Sequence, residues 1–415
     1  MAVKTAFLIL ITGLLISCKE DLKTYNTKIS NTDDSLFRKG TYAYDANFLR
    51  RHSKVVVELE SENGTSKILL SADYQGRVMT STASGDTGNS FGWINHDLMA
   101  SGDKKTQFNP VGGEERFWLG PEGGQFALYF KKGDSFNISS WKVPPVIDTE
   151  PFDLSASSRL HAVFAKRTTL HNYSGKPFDL TIERKIRMMT KNDLETKYNV
   201  LIPEEIRFVA YESKNSIRNV SDYDWKKETG LLSIWLLGMF TPSAETIVIL
   251  PFHVNRNSKT YITTDYFGKI PDERLNIEES VLFFRCDGKF RSKIGISPKI
   301  AKPVAGSYDF TKNILTLILF EIKKNAAYVN SKWEVQKEPY QGDVVNSYND
   351  GPLSDGSQLG FFYELESSSP ALELRKRDVQ EYTQVTCHFE GNFQSLNEIS
   401  TQLLGIDLTK IPRTK

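Results

Sequence analysis

Between about residue 40 and residue 390 the chain is a succession of short apolar-rich segments, several of them with strict period-2 alternation. The segments span 55–60, 68–71, 77–82, 117–119, 125–130, 160–170, 178–188, 206–211, 231–237, 246–252, 280–285, 293–296, 314–321, 361–366 and 382–389. In 125–130, Phe126, Leu128 and Phe130 share one face and Gln125, Ala127 and Tyr129 the other. Alternation of this kind is the signature of strands with one face buried. Turn chemistry separates the segments: Glu62-Asn63-Gly64, Asn172-Tyr173-Ser174-Gly175, Asp287-Gly288 and Asn349-Asp350-Gly351. Many short strands at this spacing predict an all-β sandwich or barrel. Helical periodicity is scarce. It is best at the C-terminus, where Ser395 and Glu398 have capping-box spacing and Leu396, Ile399, Leu403 and Leu404 fall on one face. This short helix is expected to cover a sheet edge. No repeat of fixed period and no Pro/Gly/Ser linker interrupts the pattern, so residues 40–415 read as a single domain.

The N-terminus has a different character. Lys4 precedes an apolar run over 6–16, too short to span a bilayer but of the length of a signal-peptide core. Leu15-Ile16-Ser17-Cys18 then resembles the lipobox of bacterial lipoproteins, in which the cysteine is acylated and becomes the first mature residue. Residues 1–17 are accordingly expected to be a cleaved signal peptide. Residues 18–39, polar and rich in Asn, Thr, Lys and Asp, are expected to be a lipidated, flexible tether. Lys19-Glu20-Asp21 looks like the export signal of Bacteroidetes surface lipoproteins, so the protein is expected at the outer membrane, on its periplasmic face or at the cell surface.

Composition narrows the chemistry. The 415 residues are 39% hydrophobic and 12% aromatic, enough for a large core. Fifty-two Lys and Arg against 51 Asp and Glu leave a net charge of +1 and no basic surplus for a nucleic-acid partner. Beyond Cys18 only Cys286 and Cys387 remain, either as one disulfide or as two buried thiols. No CxxC or Cys/His cluster has metal-ligand spacing, so no metal and no cofactor is implied. Nucleophile-elbow, zincin, P-loop and dinucleotide motifs are absent.

What remains is polar residues set among aromatics, the mixture a carbohydrate site needs: aromatic faces for sugar C–H surfaces, charged and amide groups for hydroxyls. One cluster is Phe91-Gly92-Trp93-Ile94-Asn95-His96-Asp97, with Trp93, Asn95 and Asp97 on one face if the segment is extended. A second runs from Gly112 to Gly124 and offers Arg116, Trp118 and Glu122. A third joins His161 to the charged strand Glu183-Arg184-Lys185-Ile186-Arg187, read as an exposed or paired face. A fourth is Tyr363-Glu364-Leu365-Glu366, where alternation puts both carboxylates on one side. Two carboxylates that close repel, which raises the pKa of one and suits it to acid–base work. Upstream, Tyr348-Asn349-Asp350-Gly351-Pro352 has turn chemistry.

The order of Gly76-Arg77-Val78, Arg116-Phe117-Trp118-Leu119-Gly120-Pro121-Glu122 and Glu364-Leu365-Glu366 before Ser369-Pro370 resembles the galactose-mutarotase-like superfamily. More narrowly, the chain is similar to Bacteroidetes lipoproteins with a WLGPEGGQF signature and a later YNDGP. The resemblance implies a β-supersandwich, two large antiparallel sheets with a concave sugar-binding face. Aldose 1-epimerases of that superfamily use a His as general acid and a C-terminal Glu as general base. Carried over, Glu364 or Glu366 would be the base and His96 or His161 the acid. Trp93, Asn95, Arg116, Trp118, Glu122, Asn349 and Asp350 would bind sugar. The epimerases' paired-His motif has no clear match. The expectation is therefore a membrane-anchored protein with a carbohydrate-facing groove, acting by acid–base chemistry at a sugar; the alternative is a non-catalytic glycan-binding or assembly lipoprotein.

Overall fold

The computed structural model describes residues 38–412. Cys18 and the segments expected to be signal and tether lie outside the described residues, apart from the last two positions of the tether. Among the described residues nineteen strands and four α-helices follow in order, and the strands form three antiparallel sheets.

The largest sheet has ten strands. It contains β5 (Asp153–Ser157), β6 (His161–His171), β7 (Pro177–Met188), β8 (Arg207–Asn219), β10 (Thr246–Pro251), β12 (Leu275–Ile277), β13 (Val281–Arg285), β15 (Val304–Asp309), β16 (Ile314–Phe320) and β19 (Val379–Glu390). Their order across the sheet is β12-β13-β10-β15-β16-β19-β8-β7-β6-β5. A second sheet has six strands in the order β11-β14-β17-β18-β9-β4. These are β4 (Arg116–Gly120), β9 (Ser233–Phe240), β11 (Ile262–Thr263), β14 (Ser292–Ile296), β17 (Val345–Asn349) and β18 (Tyr363–Ser368). The third sheet is small: β1 (Val56–Glu60), β2 (Lys67–Ser71) and β3 (Arg77–Thr82).

Alternation explains the layering. In β7, Phe178, Leu180, Ile182, Ile186 and Met188 are buried while Glu183 and Lys185 are exposed. The same rhythm turns Arg184 inward, fully buried, where Glu115 (2.7 Å) and Asn215 (2.9 Å) accept from its guanidinium. The charged run Glu183–Arg187 is thus split across the sheet instead of forming one face. The ten- and six-stranded sheets pack on one another and share a single apolar core. Hydrogen bonds between Ser307 and Tyr363 (2.7 Å) and between Ser367 and Gln384 (2.7 Å) cross the layer.

The opposite side of the ten-stranded sheet is sealed by α3 (Lys191–Tyr198) and α4 (Phe393–Leu403). Leu396 and Ile399 of α4 pack on Leu315, Leu317, Cys387 and Phe389. The helix therefore covers a sheet face, not an edge. Its N-cap is Asn392, which accepts from the Ser395 amide (2.9 Å), one turn before the expected capping box. Two further helices were not legible as helices in the sequence. They are α1 (Tyr42–His52), capped by Thr41, and α2 (His96–Ser101), and they pack with β2 and β3 around Leu49, Leu69 and Met79.

Two sequence expectations fail on backbone grounds. Residues 125–130 are not a strand: the chain turns, with the Ala127 amide donating to Gly124 and Leu128 to Pro121 (both 3.0 Å), and Ala127 to Phe130 are all buried. Asn349 is not in a turn but ends β17, paired on both sides. Cys286 and Cys387 are buried, separate thiols. No helix among the described residues is long and apolar enough to cross a membrane.

Candidate functional site

The six-stranded sheet carries the site on the face turned away from its larger partner. Register fixes which side chains share that face, because directly paired residues point the same way. One row across the sheet reads Arg116, Leu237, Glu366, Asn346, Gly295. The adjacent row reads Met239, Glu364, Tyr348, Lys293, and beyond Arg116 lie Trp118, Trp235 and Ser368. Alternation thus places both carboxylates, an arginine, a lysine and two tryptophans on one surface, with Tyr363 and Leu365 turned into the core.

The ion pairs are diagonal. Arg116 reaches over β9 to Glu364 in a short contact. Lys293 reaches over β17 to Glu366 Oε2 (2.9 Å), which also accepts from Trp235 Nε1 (3.0 Å). Three buried polar atoms here have no protein partner: Arg116 Nε, Trp118 Nε1 and Glu366 Oε1. Buried donors and acceptors are nearly always paired, so an unpaired set in one patch marks a place where another molecule can supply partners.

Aromatic rings enclose the charges. The Arg116 guanidinium lies 4.7 Å from the Trp118 ring centroid, and Trp118 meets Trp235 edge-to-face at 5.5 Å. Lys293 Nζ sits 5.0 Å from the Trp235 ring. Tyr129, Trp141 and Trp333 form a ladder, with centroids 6.2 and 6.0 Å apart and near-parallel planes. Trp141 Nε1 donates to Glu122 Oε1 (3.0 Å). Trp141, Trp333 and Phe108 are half-buried, whereas Glu366 is fully buried and Glu364 is 6% exposed.

The signature Gly-Gly-Gln builds this cover. A Cβ on Gly123 would stand 2.3 Å from the Lys332 carbonyl oxygen, and Gly124 has φ +86°, a left-handed conformation that favours glycine. The close approach lets Gln125 exchange two hydrogen bonds with the Gln336 backbone (2.9 and 3.0 Å), which holds the 330–336 segment and Trp333 in place.

Burial sets the protonation chemistry. It pushes the Glu364 carboxyl up to about 8, against the pull of Arg116 and with the charge of Glu366 adding to the rise. Burial likewise raises Glu122, opposed by Lys293. Burial pulls Lys293 down, but Glu366 and Glu122 outweigh it and hold the ammonium above its ordinary range. A protonated acid beside a lysine-held carboxylate is an arrangement able to give and take a proton at one bound molecule.

Arg116, Trp118, Glu122, Glu364 and Glu366 therefore come together. Trp93 lies at one end of the same face, 4.7 Å from Phe362 and packed with Met239 and Tyr348. Asp350 accepts from the Tyr348 hydroxyl (2.6 Å) and the Gly360 amide (2.9 Å). Asn349 points into the sandwich, accepting from the Gly288 amide (2.8 Å) and donating to the Phe290 carbonyl (2.9 Å). Asn95 caps α2 through the Leu98 amide (3.1 Å), so Trp93, Asn95 and Asp97 do not line one strand. Neither histidine joins the carboxylates. His96 bonds Asp45 (2.7 Å) between α1 and α2, and His161 bonds Ser158 (2.7 Å) in the β5–β6 hairpin of the other sheet. Arg77 is also structural, donating to the Gly112 carbonyl (2.6 Å) and to Gln75 (2.9 Å).

Sequence reasoning missed Lys293, Trp141, Trp235, Trp333, Tyr129 and Tyr266. One signal was available: the chain has only six tryptophans, and four of them, at 118, 141, 235 and 333, meet here. Tyr266 donates to Asp343 (2.7 Å), and Lys293 lies 5.7 Å from its ring.

Comparison with solved structures finds similar chains at low identity. A protein of Escherichia coli K12 provisionally classed as an aldose 1-epimerase matches at 9% identity and TM-score 0.48, covering 80% of this chain and 98% of its own. The Slr1438 protein of Synechocystis sp. PCC 6803 matches at 10% and 0.47, covering 81% and 96%. A galactose mutarotase-like protein of Lactobacillus casei ATCC 334 matches at 10% and 0.45, covering 80% and 100%. No curated protein matches the sequence. Residues 40–415 match a family of unknown function, DUF6786, and the chain belongs to that family.

Proposed function

We propose that this protein binds a carbohydrate on the face of the six-stranded sheet turned away from the larger sheet, under its aromatic cover, and performs acid–base chemistry on it. The observation that carries the reading is the set Arg116, Glu364, Lys293 and Glu366 beneath the Tyr129–Trp141–Trp333 ladder, with three buried polar atoms left unpaired. Sugars present both C–H faces for aromatic rings and hydroxyls for charged groups, and this patch offers both. Glu364, protonated near neutral pH, is the acid. Glu366, paired with Lys293, is the base. Lipid on Cys18, left as the first residue once the leader is cleaved, would anchor the protein to the outer membrane, with the sugar site outside the cytoplasm.

A second reading, binding without turnover, draws support from the cation on each carboxylate and from the absence of His96 and His161 from the patch. One experiment separates the two. Glycan-array screening of the soluble part identifies a ligand, and NMR of the anomeric signals and product analysis follow its conversion by wild type, Glu364→Gln and Glu366→Gln. Turnover that falls about 10²- to 10⁴-fold in either variant supports catalysis. Binding without conversion by wild type supports the second reading, and no glycan binding at all refutes both. Labelled palmitate incorporation lost in Cys18→Ser tests the anchor.

A further inference from the structure

A second concavity adjoins the patch and belongs to none of the roles above. It is a cleft of about 490 Å³, within the range of small-ligand sites. Phe126 and Tyr340 form its aromatic floor, near-parallel with centroids 6.1 Å apart. Both rings are half-buried, which leaves ring surface open. Lys227 Nζ lies 5.3 Å from the Tyr340 ring, and the Tyr340 hydroxyl donates to the Lys227 carbonyl (2.6 Å). Asn325, Lys337 and Gln341 supply exposed polar groups around the floor. Charge leans slightly negative: Lys227 and Lys337 face Glu338 in the cleft and Glu228 and Glu373 close to Tyr340.

Two of the segments that line the cleft continue from segments of the patch. Phe126 follows Glu122 by four residues, so the two α-carbons are at most about 14 Å apart. Lys337 follows Trp333 by the same interval, under the same limit. Gln125 and Gln336, bonded to each other, tie the two connecting segments together between the sites.

Resting on the saccharide reading of the patch, we infer that this cleft is a second saccharide subsite, so that the ligand is a neutral oligosaccharide whose further units lie on Phe126 and Tyr340. The slight negative excess, with no cationic surplus, argues for neutral sugars over uronates or sulfated sugars. The aromatic floor with amide and ammonium groups at its rim is suited to a pyranose face and its hydroxyls.

Titration calorimetry with glucose, galactose, mannose and xylose, and with their linear oligomers of two to six units, tests this. Wild type should bind an oligomer about tenfold more tightly than its monomer, a gain of about 1.4 kcal/mol. Tyr340→Ala should lose that gain and keep monomer affinity. Tyr340→Phe, which retains the ring and removes only the bond to Lys227, should keep both. Equal affinity of wild type for monomer and oligomer overturns the subsite and leaves the patch reading intact. So does a Tyr340→Ala variant that weakens both alike or neither. Loss of oligomer binding in Tyr340→Ala, with neither binding nor turnover altered in Glu364→Gln and Glu366→Gln, refutes the patch and keeps the cleft. If wild type binds none of these sugars, both readings fall.

Discussion

Lys293 is aligned in register with Glu364, two strands away, yet its ammonium bonds Glu366. Arg116 is aligned with Glu366 and bonds Glu364. The two cations thus cross, each settling on the carboxylate one row away. A strand between each cation and its partner leaves room for a diagonal reach that a direct cross-strand neighbour would not have. The result is two carboxyl groups on one strand, each with its own cation.

Removing one partner of such a pair should be costly. Lys293→Met leaves Glu366 buried without its cation and should destabilise the fold by about 3–5 kcal/mol. Lys293→Met combined with Glu366→Gln should recover much of that loss, because no charge is then stranded. Urea denaturation of the three variants checks this. A double variant as unstable as the sum of the single ones would show that the two side chains act independently.

Glu364 should make stability fall toward alkaline pH. Its carboxyl is raised from 4.5 to about 8 in the folded protein, so the native state holds the proton more tightly than the unfolded chain does. That contribution is present in full below about pH 4.5 and is lost as pH rises through about 8. Glu364→Gln cannot titrate. The melting temperature of wild type relative to the variant should therefore decline steadily across that window. A difference that stays constant with pH would mean that Glu364 is ionised throughout.

Gly123→Ala should disturb the tryptophan ladder without unfolding the sheets. The added methyl meets the Lys332 carbonyl oxygen at 2.3 Å, so the segment bearing Trp333 must shift. Near-ultraviolet circular dichroism, sensitive to the Trp141–Trp333 stack, should change while the far-ultraviolet β signal is retained. An unchanged near-ultraviolet spectrum would show that Trp333 does not depend on this approach.

The two described cysteines should be silent in the native state. Both are buried and burial raises both thiols, so neither offers thiolate to a reagent. In a Cys18→Ser background, Ellman's reagent should find no thiol in the folded protein and two after denaturation. Fast reaction of even one before unfolding would contradict the packing around Cys286 or Cys387.

Much of the strand framework was legible because β6, β7 and the start of β19 alternate, as half-buried strands do, and because β16 is a short apolar run of the kind a fully buried strand shows. The parts that escaped lack that signal. β17, Val-Asn-Ser-Tyr-Asn, is buried on both faces yet mostly polar, since Ser347 and Asn349 bond inside the sandwich and Asn346 donates to Tyr266 on the other face. Residues 125–130 alternate but follow two glycines that bend the chain away. Within the site, Glu364 and Glu366 were readable as a same-face pair from β18 alone. Lys293 was not, because its role depends on β14 lying two strands from β18, a fact of topology that no local pattern encodes. The histidines were overweighted as acids: each found a nearby partner, Asp45 or Ser158, before any carboxylate of the sheet.

Glu114 and Glu115 sit side by side in the chain and are both fully buried. Glu114 accepts from Ser81 of β3 (2.8 Å) and bonds His388 of β19 (2.8 Å). Glu115 bonds Arg184 of β7 (2.7 Å), Ser213 of β8 (2.9 Å) and Gln384 of β19 (3.1 Å). Two successive residues thereby plug into separate sockets on the large sheet, like the pins of a keyed connector. A slip of one residue anywhere in β7 or β19 would turn Arg184 or His388 to the other side and strand a buried charge. The dipeptide thus acts as an alignment check on sheets whose strands are far apart in the chain, and it does so immediately before Arg116, the first residue of the strand that carries the site.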